Sequence, residues 1–90
     1  MKLKGEFLIR EVAGEIIVVP VNQTALSFNG MICLNAVSQE IWNGLQAGKT
    51  RDEILERILE EFEVSREEAS ADLDDFLHQL RENDLLEDET

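Results

Sequence analysis

The sequence holds very little of what catalysis or a covalent scaffold would draw on. It has one cysteine, Cys33, one histidine, His78, and one proline, Pro20. A single thiol cannot close an internal disulfide, which points to a reducing cytoplasm and away from secreted scaffolds. Nothing basic adjoins Cys33 in sequence, so it reads as a buried structural thiol within an apolar run and not as a nucleophile. His78 has no cysteine or second histidine for company and reads as an exposed helical residue. A glycine-rich phosphate loop is missing too, since Gly44 and Gly48 fall near the end of an expected helix with no Gly-Lys-Ser/Thr run. The acidic runs Glu60-Glu61-Phe62-Glu63 and Asp72-Leu73-Asp74-Asp75 lack the glycine-centred spacing of a calcium loop and read as solvated helix faces. The expectation is a protein that is no enzyme and uses no cofactor or metal.

Long apolar runs are absent as well. The longest, Ile16 to Val21, is far short of a membrane span. Lys2, Lys4, Gly5, Glu6 and Arg10 break up any apolar core of a signal peptide. A soluble, cytoplasmic protein with no membrane partner is expected.

Basic charge is scarce, and unevenly so. Eight Lys and Arg stand against 20 Asp and Glu, a formal net charge of -12. Residues 1–50 carry four acids (Glu6, Glu11, Glu15, Glu40) and four bases (Lys2, Lys4, Arg10, Lys49), so residues 51–90 hold the whole excess. A field of that sign repels phosphate backbones, which are bound through many Lys and Arg contacts. Nucleic acid is a poor partner for it. A basic or neutral peptide suits it better, unless the charge serves only solubility.

What is present organises around residues 30–42. Gly30 opens a short apolar run, Met31 to Leu34, and Asn35 closes it as a helix N-cap. Beyond it the apolar period changes: Val37, Ile41 and Leu45 stand four apart, with Trp42 beside them. Everything before this point reads as β and everything after it as α. Ninety residues with 43% hydrophobic content make one domain, 1–90, with an ordered core over about 6–86.

The β half opens with Glu6 to Val12, where Phe7 and Ile9 share one strand face and Leu8, Arg10 and Val12 the other. Ala13-Gly14 is a tight turn. Ile16-Ile17-Val18-Val19 follows as a strand covered on both faces or nearly so, and Pro20 ends its ladder. For Val21 to Asn29 two readings stand. Either Leu26–Phe28 is a strand that pairs back on Met31–Cys33 across an Asn29-Gly30 turn, or the segment is a loop whose Leu26 and Phe28 plug the core.

The α half predicts three helices, near 36–46, 51–63 and 66–83. Gly48 stops the first. Thr50-Arg51-Asp52-Glu53 and Ser65-Arg66-Glu67-Glu68 are capping boxes for the second and third, with Val64 stapling on Ala69. Ile54, Leu55, Ile58, Leu59 and Phe62 form one buried stripe, and Ala69, Leu73, Phe76, Leu77 and Leu80 another. Leu85-Leu86 docks on the sheet and Glu87–Thr90 frays. The fold class is α+β: a small antiparallel sheet followed by three helices, like a winged helix-turn-helix.

The hairpin, then Gly30-Met31-Ile32-Cys33-Leu34-Asn35, then the Ile41-Trp42 helix resembles the PqqD family. The likeness continues through Thr50–Ile54 and through Asp72, Leu73, Phe76, Leu77 and Leu80, and covers about residues 6–86. The stretch Val21–Asn29 departs from the namesake by looking longer. The resemblance implies a precursor-peptide recognition element of ribosomally made, modified peptides. Such a module holds a leader peptide as an added strand, between the last sheet strand and the third helix, and presents it to a modifying enzyme, often a radical S-adenosylmethionine (radical SAM) protein. It implies a peptide-binding set of Met31, Ile32, Cys33 and Leu34 on the strand with Asp72, Phe76, Gln79 and Leu80 on the helix. For Leu73 and Leu77 the residues themselves favour plain core, while Phe76 and Leu80 stay open between core and groove. Two further possibilities stand beside this: a winged-helix regulator acting through a protein or DNA partner, and a homodimer paired through the same free edge.

Overall fold

The helical half builds most of the core, and the sheet lies against it. The structure is a computed structural model that describes residues 1–27 and 30–87. In chain order the elements are β1 (Lys2–Leu3), β2 (Phe7–Val12), β3 (Glu15–Pro20), α1 (Gln23–Ser27), β4 (Ile32–Leu34), α2 (Ala36–Gln46), α3 (Arg51–Glu61), α4 (Arg66–Glu82) and β5 (Leu86–Glu87). This is the expected α+β class, with the three long helices where the sequence puts them. Buried apolar side chains come chiefly from α2 (Ile41, Trp42, Leu45), α3 (Ile54, Leu55, Ile58) and α4 (Ala69, Leu73, Phe76, Leu77, Leu80). The three-stranded sheet adds only Val18, Pro20 and Leu34 to the buried set.

Capping chemistry starts each long helix. Asn35 accepts from the Ser38 N–H at 2.9 Å, and Ser38 Oγ accepts from the Asn35 N–H at 3.1 Å, a reciprocal box. Thr50 and Glu53 form a second at the start of α3. Ser65 caps α4 by accepting from the Glu68 N–H, while no return bond from the Glu68 side chain closes the box expected there. Gly44 sits inside α2 because α3 lies against it: a Cβ there would stand 2.7 Å from Ile54 Cγ1.

The sheet is antiparallel throughout, in the order β2-β3-β4. The register sets Phe7 opposite Pro20, Ile9 opposite Val18, and Val18 opposite Ile32, so Phe7, Ile9, Ile16, Val18, Ile32 and Leu34 share the inner face. Phe7 meets the buried Trp42 ring edge-on, with centroids 5.1 Å apart. The outer face carries Leu8, Arg10, Val12, Ile17, Val19 and Cys33.

Several expectations are corrected. The β3 strand is covered on one face only, since Val18 is fully buried while Ile17 and Val19 are half-buried on the other face. Cys33 is exposed and not a buried thiol: Leu34 points inward, and strand alternation sends Cys33 out. Residues 23–27 form a short helix, neither a pairing strand nor a core plug, and Leu26 is 81% exposed. Asn22, at φ 56, turns the chain into it, and the buried Thr24 Oγ1 accepts from the Glu6 N–H at 2.7 Å. Phe28 and Asn29, the tip of the suggested hairpin, lie outside the described residues, as do residues 88–90 of the expected frayed tail.

Leu85 and Leu86 are buried, but their backbone joins the N-terminus and not the main sheet. β5 pairs antiparallel with β1, Leu86 opposite Leu3, and the Lys4 N–H donates to the Leu85 carbonyl at 2.8 Å. Residues 2 and 3 thus form a short strand outside the 6–86 span that the sequence suggested. Among the described residues no helix is long and apolar enough to cross a membrane.

Candidate functional site

Among the described residues, sheet order gives β4 a partner on one side only, β3. Its other side presents unpaired backbone donors and acceptors, which a folded protein normally hides or fills. Beside that side runs α4. A groove of about 510 Å³ lies between them, lined by Met31, Ile32 and Cys33, by Asn35, Val37, Ser38 and Ile41 at the start of α2, and by Asp72, Asp75, Phe76, Gln79 and Asn83 of α4.

Helix geometry explains the α4 wall. Asp72, Asp75, Phe76, Gln79 and Asn83 follow the i, i+3, i+4 spacing of one stripe, next to the buried stripe of Leu73, Leu77 and Leu80. Phe76 belongs to both: it is 9% exposed, packs in the core and still closes the groove. Leu73 and Leu77 are plain core, as favoured from their positions.

Of the eight residues that the resemblance suggested, the structure brings six to this groove: Met31, Ile32, Cys33, Asp72, Phe76 and Gln79. The side chains of Leu34 and Leu80 point elsewhere, into the core at 6% and 2% exposure. Six lining residues lie outside the suggested set: Asn35, Val37, Ser38, Ile41, Asp75 and Asn83. Asp75 and Asn83 were legible in principle, since they continue the stripe of Asp72 and Gln79. The sequence marks Asn35 only as a helix N-cap and Val37 and Ile41 only as an apolar helical stripe, and Ser38 carries no signal of its own.

The groove has an apolar floor of Ile32, Val37, Ile41 and Phe76 with polar walls. Asp74, between Asp72 and Asp75, turns the other way and accepts two bonds from Arg51, at 2.7 Å from Nε and 3.0 Å from Nη2. The Arg51 hydrogen bond holds the Asp74 carboxyl below the usual carboxylate range. This bidentate pair, with Arg51 Nη2 also donating to Ser70 at 2.7 Å, fastens the start of α3 to the first half of α4.

The other clefts do not set a strand edge against α4. One of about 690 Å³ between α2 and α3 is lined by Glu40, Asn43, Lys49, Glu53, Arg57 and Glu60, among others. Its Arg57 is already engaged with Glu40 at 2.9 Å and Glu61 at 3.2 Å. His78 is exposed and stands 3.2 Å from Glu82, one helical turn on.

Comparisons with known proteins bear on the family and the fold. The family model described as coenzyme PQQ synthesis protein D (PqqD) matches residues 11–86. A solved structure of TbiB1 in complex with the TbiA(beta) leader peptide is similar over 100% of this chain and 99% of that one, at 31% identity and a TM-score of 0.76. No curated protein matches the chain.

Proposed function

We propose that this chain, which belongs to the PqqD family, is a non-catalytic adaptor that binds the leader of a ribosomal precursor peptide and presents it to a modifying enzyme. The observation that carries the reading is the unpaired β4 edge beside the α4 groove, in a fold like that of leader-bound TbiB1 along its whole length. An extended leader adds to that edge as a fourth strand. Its backbone supplies affinity with little regard to sequence, and alternate side chains fall into the groove. The remaining side chains lie on the outer face beside Cys33. An affinity near micromolar, about -8 kcal/mol, leaves a surplus over the cost of ordering a flexible peptide.

The rest of the proposal concerns partners. The enzyme served is a radical SAM protein, which the family resemblance suggests, and the setting is the cytoplasm. Duplex DNA is not a ligand, because the net charge of -12 repels it and Arg51, Arg57 and Arg66 are each ion-paired within the fold. A dimer through β4 would occupy the same edge and so compete with the leader.

The test is a titration of the isotope-labelled protein with the leader of a precursor peptide encoded beside its gene. Amide shifts are expected to move at residues 31–34 and 72–80. Movement confined to α3 overturns the groove assignment, and absence of binding by every nearby precursor overturns the adaptor reading.

A further inference from the structure

The charge of the groove is the feature that strand addition does not explain. Among its lining residues are two carboxylates, Asp72 and Asp75, and no Lys or Arg. Elsewhere in the helical half three bases are already engaged by acids: Arg51 by Asp74, Arg57 by Glu40 and Glu61, Arg66 by Glu56. Among the described residues neither Asp72 nor Asp75 has such a partner. Both are exposed, both stand on the groove stripe, and the apolar Phe76 follows directly. Further along the same wall Gln79 and Asn83 are uncharged. The wall therefore changes from anionic to apolar to neutral polar along α4.

Spacing relates this order to a bound strand. Asp72 and Phe76, four residues apart on a helix, are separated by about 6 Å along its axis. Side chains that share one face of an extended peptide, two residues apart, are separated by about 6.6 Å. A leader side chain seated on Ile32 and Phe76 thus brings its next same-face neighbour to the level of the carboxylates. A positive charge there meets two unpaired acids inside the field of the whole acidic half, and a negative charge meets repulsion from all of them.

We propose that the leaders selected by this groove carry a Lys or Arg two positions from a large apolar residue. The apolar residue packs on Ile32 and Phe76, and the basic one pairs with Asp72 and Asp75. This rests on the reading that the groove holds a strand-like leader, and it names that leader's chemistry. Asp72 and Asp75 are then specificity determinants, and leaders with an acid at the basic position are excluded.

A random peptide display library selected against the whole chain tests it. Enriched peptides should show the basic–x–apolar pattern. Asp72→Asn with Asp75→Asn should weaken them roughly tenfold at low salt, about threefold for each exposed pair. That loss should shrink near 0.5 M salt, where the screening length falls to about 4 Å. Both side chains are unpartnered, so the double variant keeps the wild-type melting temperature. N-methylation of the enriched peptide's backbone, which removes strand donors without touching the protein, should abolish binding in either protein. If N-methylation abolishes binding while the double variant binds unchanged, or no basic residue is enriched, the strand reading stands and the charge inference falls. If N-methylated peptides bind as well as their parents, strand addition itself is wrong, and the inference falls with it.

Discussion

The three-stranded sheet ends in two outer strands whose surroundings differ. On one side β2 stands in the open: every residue from Leu8 to Val12 is exposed, with Ile9 and Leu8 each at 44% and Val12 at 55%. On the other side β4 is half as long, three residues against six, yet it faces a groove walled by α4. Backbone hydrogen bonding alone would favour β2 as the site for an added strand, since it offers twice the length. Specificity favours β4, because there the long helix α4 faces the incoming side chains. Arg10 and Glu11 in the middle of β2 are also the kind of charges that discourage unwanted edge pairing. An edge becomes a site when something stands beside it to read the strand that arrives.

Removing support from the wall is the strongest way to break this comparison. Leu73 is fully buried beneath the α4 stripe, so Leu73→Ala is expected to cost about 2–5 kcal/mol, lost transfer energy plus a cavity. Ile9→Ala on the open strand should cost about 1 kcal/mol or less. Chemical denaturation of both variants measures the gap. Equal losses would mean that the β2 edge is as much a part of the core as α4 is.

The next effect is on binding. Proline at Cys33 or at Ile32 removes a backbone donor from β4, and one of the two donors points away from β3 toward the leader. That substitution should weaken leader binding roughly tenfold, and circular dichroism identifies any variant that fails through unfolding instead. Ile9→Lys, which adds a charge to the opposite edge, should leave leader affinity within about twofold, because a charge on that side is screened from the groove. A loss of affinity from Ile9→Lys as large as that from proline on β4 would move the site to the wrong edge.

How much of this contrast was legible beforehand follows from the range of the interactions involved. The three long helices were legible because caps and stripes are local: Asn35, Thr50 and Ser65 each accept a backbone N–H three residues on. The groove wall was partly legible for the same reason, since a helical stripe can be counted from Asp72 to Gln79. The exposure of Cys33 followed from the inward Leu34 next to it, but a run of four apolar residues hid the alternation. β1 and β5 were invisible, because two-residue strands have no period and their pairing joins positions more than 80 apart. The helix at Gln23–Ser27 depends on Thr24 meeting the backbone of Glu6, which no local pattern announces. The free edge of β4 is likewise a property of strand order.

The smallest expected effect concerns what holds the wall in place. Arg51 and Asp74 join α3 to α4 just behind Asp72 and Asp75, with Arg51 34% and Asp74 57% exposed. Water screens such a pair, so its worth is about 0.5 kcal/mol or less. Its sign with pH is fixed. The Arg51 hydrogen bond lowers the folded-state pKa of Asp74, so the folded protein holds this proton less readily than the unfolded chain, whose aspartates titrate near ~3.9. The stabilisation is complete above that value and is lost as pH falls through the lower folded-state pKa. Asp74→Asn should therefore be slightly destabilised at pH 7 and should converge on wild type as pH falls below the lowered folded-state pKa. Leader affinity should change by less than about twofold, a far smaller loss than the groove-facing Asp72 and Asp75 produce together. A gap between the two proteins that stays constant from neutral to acid pH would show that the pair does not clamp α4, and that hydrophobic packing around Leu73 and Leu77 holds the wall unaided.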